Sequence, residues 1–251
     1  MELKPVNKHI DDVTIEQIED HKLITQEELN KDLENLFGYD ASENRNNFFG
    51  NPFLYHFQFK NLIKCHREGG DTIYDIYNDK VKWDKLIDSA KKRNRGGRTA
   101  AGNVYECFRI NLGSVVMFKS TTAKYLYQKY NATSVLDPTA GWGGRMLGAW
   151  ALGIDYTGID TNTNMKSAYD DMIEMLNNKT PAIFEQPKLE MLWQSALDVD
   201  FSNIDYDFVL TSPPYVNLEI YEHMEPWESD EKFYVDFFIP LWQKCIDNIK
   251  P

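Results

Sequence analysis

The chain has few cysteines, no long hydrophobic run and fewer basic than acidic residues. Its three cysteines, Cys65, Cys107 and Cys245, are widely separated and lack a Cys-x-x-Cys spacing. They therefore indicate reduced thiols and not a disulfide framework or a cysteine-based zinc site. No run reaches the roughly 18 apolar residues of a membrane-spanning helix, and the N-terminus lacks the shape of a signal peptide. We expect a cytoplasmic protein with no membrane segment and no metal.

The shortage of positive charge is uneven along the chain. The net charge of −12 disfavours partners rich in phosphate, but residues 51–130 carry 15 basic and 7 acidic side chains. The basic side chains peak between Lys91 and Arg98, where five of eight residues are cationic and two are glycines. Such a run is typical of a solvated surface loop, and it also suits a loop that holds phosphate groups. Both interpretations remain open at this point.

The first hundred residues favour helices. Thr25 begins a capping-box pattern, which predicts a helix from about residue 26 to residue 37, and another helix is expected over residues 83–92. Residues 39–62 are rich in asparagine and phenylalanine. Their aromatic side chains are either core residues or surfaces on which bases stack. From residue 104 to 118 the pattern favours β and extended structure.

Beyond residue 120, strands and helices alternate. This order predicts an α/β fold with a doubly wound parallel sheet and helices on both faces. We expect a mainly helical N-terminal region at residues 1–103 and an α/β core at residues 104–251. The expected strands are 133–136, 155–159, 189–193 and 206–211, and the expected helices lie near 121–130, 143–152, 162–177 and 231–249.

A glycine-rich turn follows the first of these strands. The segment Val135-Leu136-Asp137-Pro138-Thr139-Ala140-Gly141-Trp142-Gly143-Gly144 places an acid and three glycines between a strand and a helix. Such a turn lets a nucleotide-like cofactor approach the backbone. Asp160 ends the next strand about 20 residues later, where a carboxylate can accept hydrogen bonds from ribose hydroxyls. A NAD site fits less well. Its Gly-x-Gly-x-x-Gly fingerprint would begin at Gly141 and Gly143, but Met146 occupies the position of the third glycine. The alternative is a tight turn that binds nothing.

A short apolar strand, Phe208-Val209-Leu210, leads into the tetrad Ser212-Pro213-Pro214-Tyr215. The two prolines fix φ and stop the strand, so the turn is stiff. Because prolines lack N–H groups, carbonyl oxygens are the outward polar groups, and the tyrosine adds an aromatic face. These groups suit the binding of a flat amine whose N–H groups need acceptors. The alternative is a rigid loop that follows a strand.

In this order, the glycine turn and the tetrad resemble the class I S-adenosylmethionine-dependent DNA amino-methyltransferases, which methylate N4 of cytosine or N6 of adenine. The resemblance covers residues 110–251. It implies a Rossmann-like methyltransferase sheet, S-adenosylmethionine as cofactor, and DNA as substrate with the target base flipped out of the duplex. The chain holds fewer expected strands than the family's full sheet. We therefore expect a missing C-terminal segment or a partner chain to complete the fold.

The resemblance also implies roles for individual residues. Ser212 would accept a hydrogen bond through Oγ and Pro213 through its carbonyl, Pro214 would stiffen the turn, and Tyr215 would stack on the base. Ser195 stands where many members of the family carry an acid. The residue that contacts the amine of the cofactor's adenine ring is therefore left open. The implied cofactor-binding residues are Asp137, Pro138, Thr139, Ala140, Gly141, Gly143, Asp160, Thr161, Ser195, Ala196, Phe118 and Ser120.

The expected activity is cytosine-N4 methylation in restriction-modification, because a leading serine in the tetrad leans toward cytosine within the family. Adenine-N6 methylation and a non-catalytic or split subunit that needs a partner chain are the alternatives. Methylation at C5 of cytosine is disfavoured, since it needs an attacking thiolate and no cysteine follows a proline in a strand-end loop. The residues expected to bind DNA phosphates are Lys91, Lys92, Arg93, Arg95 and Arg98.

Overall fold

The computed structural model of the protein describes residues 9–42, 47–93, 98–113, 115–179, 186–222, 224 and 226–250. The fold is α/β, and it divides into two compact units that are interleaved along the sequence. The first unit comprises Met1–Leu23, Phe59–Val116 and Asn217–Met224. The second comprises Ile24–Gln58, Met117–Val216 and Glu225–Pro251. The boundary expected from the sequence, at residue 103, lies inside the first unit.

Helices predominate in the described structure, and several begin at a threonine. Thr14, Thr25 and Thr72 each accept a hydrogen bond from the backbone of the third helical residue, whose side chain returns the bond. The helices are α1 (Ile15–Asp20), α2 (Gln26–Gly38), α3 (Asn51–Leu62), α4 (Ile73–Asn78), α5 (Lys80–Arg93), α6 (Ala100–Phe108), α7 (Ser120–Tyr130), α8 (Gly144–Trp150), α9 (Lys166–Lys179), α10 (Asp230–Phe233) and α11 (Ile239–Asn248). The strands are β1 (His66–Arg67), β2 (Ser134–Asp137), β3 (Asp155–Asp160), β4 (Leu189–Trp193), β5 (Phe208–Val209) and β6 (Glu219–Ile220).

The prediction of β and extended structure over residues 104–118 is wrong for residues 104–113, which are helical. Thr99 caps α6 by accepting a hydrogen bond from Gly102 N at 2.9 Å, and a π-helical turn, Arg109–Gly113, continues α6. The β-branched and aromatic residues of this segment, such as Val104 and Phe108, favour strands by propensity. They are buried on a helix instead, because tertiary packing overrides local propensity.

The second unit contains the parallel sheet, in the order β4-β3-β2-β5. Val135 of β2 pairs with Tyr156 of β3 on one side and with Phe208 of β5 on the other. The four strands expected from the sequence are confirmed, although β5 is shorter than predicted. Helix α11 packs on this sheet through Leu241 and Cys245, in a core cluster with Leu136, Ile159, Ala196, Val199, Phe201 and Tyr206.

Helix α3 is not evident from the sequence, in which residues 39–62 show only a pattern rich in asparagine and phenylalanine. Phe53 and Phe59 are fully buried, as the core interpretation predicts, whereas Phe48 is 61% exposed. Asp32 on α2 caps the start of α3, since its carboxylate accepts hydrogen bonds from Gly50 N at 3.1 Å and Phe53 N at 3.0 Å. The cap comes from a residue distant in sequence, so local patterns could not reveal it.

A buried lysine joins α7 to the end of α2. Lys124 is 2% exposed, and its Nζ donates hydrogen bonds to the carbonyl oxygens of Leu36 and Phe37, both at 2.8 Å. These carbonyls lie in the last turn of α2, where intrahelical donors are lacking. Burial lowers the pKa of Lys124 to about 8 from 10.5.

The lowered pKa of Lys124 predicts a pH dependence of stability. Between about pH 8 and 10.5 the folded state has released this proton while the unfolded state still holds it, so Lys124 contributes a rise in the free energy of unfolding with pH, on the order of 1–3 kcal/mol. The buried thiols of Cys65 and Cys245, whose pKa values are raised, contribute a fall over part of this range, so the contribution of Lys124 is the difference between variants. In urea denaturation, wild type and Lys31→Met, which alters an exposed lysine of α2, should gain stability relative to Lys124→Met by this amount as the pH rises. Equal pH slopes in all three proteins would contradict the assignment.

Candidate functional site

The predicted functional residues follow the parallel strands of the second unit. Asp137 ends β2, Asp160 ends β3, Ser195 follows β4 and Ser212 follows β5. The chain runs outward from β2 to β3 and β4, and then adds β5 on the other side of β2. The strand order therefore reverses between β2 and β5, and ligands of open α/β sheets bind in the crevice at such a reversal. With strands about 4.8 Å apart, the four loops form a row about 14 Å long.

Asp137 ends β2 in a fully buried ion pair. Its Oδ2 accepts hydrogen bonds from Arg145 Nε at 2.6 Å and from Tyr156 OH at 2.7 Å, and the Asp137 and Arg145 side chains are 0% and 3% exposed. Arg145 Nη2 donates to the carbonyl oxygens of Thr139 and Ala140 at 2.6 Å and 3.1 Å. Burial by itself lowers the pKa of Arg145, but the Asp137 carboxylate and its neighbours raise it above the ordinary value. The charged pair therefore fixes the backbone that enters the glycine turn.

The other carboxylate oxygen of Asp137 is unsatisfied. Oδ1 is buried and has no hydrogen-bond partner within the described part of the chain; such an atom typically costs about 1–3 kcal/mol. At Gly141, φ is +57° and an added Cβ would meet no atom closer than 3.9 Å, so the turn leaves space at this point. Together these features fit a ligand that brings a hydrogen-bond donor to the turn.

The end of the turn packs against the segment before α7. A Cβ at Gly144 would lie 2.0 Å from the carbonyl oxygen of Phe118, so only glycine fits there. The Phe118 ring centroid lies 5.0 Å from the guanidinium carbon of Arg145, which places this predicted cofactor residue beside the turn. Ser120, predicted with it, is fully buried, and its Oγ has no hydrogen-bond partner among the described residues.

Asp160 connects the end of β3 to the glycine turn. Its Oδ2 accepts a hydrogen bond from Gly141 N at 2.8 Å and its Oδ1 accepts one from Asn162 N at 2.9 Å. Burial raises the pKa of Asp160, and these two hydrogen bonds oppose the rise. Each carboxylate oxygen can accept a further hydrogen bond, so the structural contacts leave acceptor capacity for a ligand. Thr161, which follows, is exposed.

The tetrad lies beside the glycine turn. Thr139 Oγ1 and Thr211 Oγ1 are 2.6 Å apart and share a hydrogen bond, and Leu210 N donates to Leu136 O at 3.2 Å. Because Thr211 directly precedes Ser212, these contacts bring the loop after β2 and the loop after β5 together. The sequence placed the two motifs about 70 residues apart and could not show this contact.

Within the tetrad, Ser212 Oγ and Tyr215 OH are 3.1 Å apart. Tyr215 is 54% exposed, while Pro213 and Pro214 are partly buried. Val216, the next residue, has φ +52°, which β-branched residues rarely adopt. Strain of this kind costs of order 1–3 kcal/mol and clusters at ligand-binding sites. The strained turn presents the serine hydroxyl and the tyrosine ring together at the surface.

The loop after β4 is held by its own contacts. Ser195 Oγ accepts a hydrogen bond from Leu197 N at 3.3 Å, and Asp198 N donates to Ser195 O at 3.0 Å. Ala196 is buried against the sheet. The structure thus gives Ser195 a role in shaping this loop, and a role in binding adenine stays a prediction.

The predicted DNA-binding residues belong to the first unit. Lys91, Lys92 and Arg93 form the exposed last turn of α5, where Lys91 makes an ion pair with Asp11. Arg98 Nη1 lies 3.4 Å from Glu106 Oε1. The remaining member of this set, Arg95, lies outside the described residues.

Three important residues of the site were missed by the sequence analysis. Arg145 and Tyr156 hold Asp137, and Thr211 joins the two loops. The sequence does contain a signal for Arg145. It directly follows the last of the three turn glycines, at the start of a predicted helix, where an arginine lies close to the turn. Tyr156 lies in β3, where its hydroxyl could not be paired from the strand pattern alone.

Neither a metal site nor a membrane span is found in the described parts of the chain. No group of three or more His, Cys, Asp or Glu side chains there could hold a metal ion, and no described helix has the length and apolar character to cross a membrane. Comparison with known proteins adds no family: no family model matches the chain, and no curated protein matches it.

Proposed function

We propose that the protein is an S-adenosylmethionine-dependent DNA methyltransferase that methylates the exocyclic N4 amine of cytosine. One observation carries the proposal. The hydrogen bond between Thr139 and Thr211 places the glycine turn and the Ser-Pro-Pro-Tyr tetrad side by side at the reversal of strand order. A methyl donor bound at the turn and an amine bound at the tetrad would therefore be neighbours, as direct methyl transfer requires.

The glycine turn supplies groups suited to the cofactor. Asp137 Oδ1, buried without a partner in the described chain, would accept a hydrogen bond from the ammonium group of the cofactor's amino-acid portion. Asp160 would accept hydrogen bonds from the ribose hydroxyls, and Gly141 leaves the backbone accessible. When bound, S-adenosylmethionine supplies an electrophilic methyl group on its sulfonium.

The tetrad supplies groups suited to an amine on a flat base. The amine of cytosine is a weak nucleophile, because its lone pair is delocalised into the ring. Ser212 Oγ and the carbonyl of Pro213 would accept hydrogen bonds from its two N–H groups and favour the localised lone pair. Ser212 can donate its own proton to Tyr215 OH, which orients its lone pairs toward the amine. Tyr215 would stack on the base, at a gain of about 1–3 kcal/mol.

Methyl transfer to adenine N6 uses the same geometry, and the neutral serine hydroxyl does not forbid it. The preference for cytosine rests on the resemblance of the tetrad alone. The identity of the methylated nucleoside therefore decides between the two substrates without altering the proposed mechanism.

A non-catalytic or split subunit is the second candidate. Strand β5 pairs only with β2 among the described strands, and α11 exposes Ile239 and Ile246 to 58% and 62%. An open sheet edge and exposed apolar side chains are both features on which another polypeptide can dock. Methyl transfer by the isolated monomer would exclude the need for such a partner.

The purified chain should be incubated with S-adenosylmethionine and unmethylated DNA, and the DNA then digested to nucleosides for mass spectrometry. We expect N4-methylcytosine, with none formed when the cofactor is omitted. N6-methyladenine would keep the mechanism and change the substrate. If no methylated base forms at any DNA concentration, the monomer is not the proposed enzyme, and size measurement with candidate partner chains becomes the next step.

A further inference from the structure

A cluster of charged side chains lies along α6 in the first unit, apart from the candidate site in sequence. Beside this helix, His21 packs edge-on against Phe59 with ring centroids 4.6 Å apart and lies 5.2 Å from the ring of Tyr105 on α6. Burial lowers the pKa of His21 to about 4, so this side chain is neutral near pH 7. Lys22 is the next residue in the chain.

Glu106 is the centre of the cluster. Its carboxylate accepts two hydrogen bonds from Arg109, through Nε and Nη2, both at 3.0 Å. Arg98 Nη1 approaches the same carboxylate at 3.4 Å. The two arginine side chains are 39% and 45% exposed, whereas Glu106 is 23% exposed. The carboxylate therefore orients two planar guanidinium groups at the surface.

Lys22 belongs to the same electrostatic cluster. Burial lowers the pKa of Lys22, Glu106 raises it, and Arg98 and Arg109 lower it again. Lys22 therefore experiences the charges of Glu106, Arg98 and Arg109, while the two arginines make the direct contacts with the carboxylate. Two acids of α1, Glu19 and Asp20, pair with Lys60, at 3.6 Å and 3.0 Å. Arg98 and Arg109 share the one carboxylate of Glu106, so these three side chains together carry a surplus of positive charge.

This surplus stands out because the whole chain carries a net charge of −12. A polyanion is repelled by such a chain unless cations are concentrated at one place. Oriented guanidinium groups suit phosphate oxygens, which they bind through paired N–H donors. Within the basic run 91–98, Lys91 instead pairs with Asp11 in the short 3₁₀ turn before α1.

We propose that Arg98 and Arg109, held by Glu106, bind backbone phosphates of nucleic acid together with the neighbouring Lys22. The proposal rests on the proposed function for the identity of the polyanion, and it shifts the main phosphate contact from the α5 end of the basic run to the surface of α6. Lys22 and Arg109 then have a role that the sequence pattern did not assign to them.

Binding of the full chain to a fluorescently labelled DNA duplex, followed by anisotropy over a series of salt concentrations, tests the proposal. Removal of one cation that binds a phosphate should make the slope of log K against log salt shallower by about 0.9. We expect Lys22→Met, Arg109→Met and their double variant to lower affinity on duplexes of unrelated sequence alike, with a shallower slope. Lys80→Met is the matched control, because it removes one cation from an exposed pair with Asp84 in the same unit.

Lys22→Met leaves both arginine–glutamate contacts in place, so it remains informative if Arg109→Met fails to fold, as circular dichroism would show. Cluster variants that fold and bind DNA with the affinity and salt slope of Lys80→Met would overturn the proposal, as would a wild-type chain that does not bind the duplex. A wild-type chain that binds DNA through these residues but transfers no methyl group would support this proposal and contradict the proposed catalytic function.

Discussion

Replacing Arg145 with methionine is expected to cost about 3–5 kcal/mol of folding stability, because it leaves the Asp137 carboxylate charged, buried and without its cation. Both side chains are almost completely inaccessible, so water cannot compensate. Domains of this size are stable by about 5–15 kcal/mol, so a large part of the stability would disappear. Urea denaturation at pH 7 measures the change.

Two further variants make the test of the Arg145 pair specific. Lys166→Met breaks an exposed pair with Asp170 on α9 and should cost less than about 1 kcal/mol. Adding Asp137→Asn to Arg145→Met removes the stranded charge, so the double variant should be more stable than Arg145→Met alone. A double variant less stable than the single one would show that the pair's charge is not the cause.

Replacing Ser212 with alanine is expected to lower the rate of methyl transfer by about 10²–10³-fold, the usual loss when one preorganised hydrogen-bonding group is removed from a reacting centre. The cofactor residues follow other strands, so the affinity for S-adenosylmethionine should stay within about twofold of wild type. Single-turnover kinetics, together with calorimetric titration of the cofactor, separates the two quantities.

Ser202→Ala is the control for Ser212→Ala, because Ser202 is an exposed serine whose Oγ donates to Asp200 at 2.7 Å. Its transfer rate should equal that of wild type. Tyr215→Ala should weaken the binding of DNA, since it removes the stacking face, and should also slow transfer, since Ser212 loses the hydroxyl that orients it. If Ser212→Ala transferred methyl groups at the wild-type rate, the proposed contact between Ser212 and the amine would be wrong.

The strands of the second unit could be predicted because their patterns are local. Val135 and Leu136 are consecutive apolar residues that end in an acid and a glycine turn, a pattern typical of a buried parallel strand. The four strand positions followed from such patterns. The order of the strands did not, because it depends on pairing between Val135 and Phe208, far apart in the chain.

The contacts that build the candidate site were less predictable. Asp137 was recognised from its place before the glycines. Arg145 stands at a helix start directly after those glycines, but its pairing with Asp137 is seen only in the structure. The helix α6 was predicted as β structure because Val104 and Phe108 favour strands in isolation. For α6, the deciding energy comes from packing against residues distant in sequence, such as His21 beside Tyr105.

The most direct test of a shared catalytic site is the mass of the methyl group found on DNA when the cofactor carries a trideuterated methyl. If the glycine turn and the tetrad act together, wild type and Ser202→Ala should form N4-methylcytosine with the full mass increase of the label, and Ser212→Ala should form far less. Label on adenine would change only the substrate. A chain that binds S-adenosylmethionine but places no labelled methyl on any base would contradict the claim that the glycine turn and the tetrad form one catalytic site.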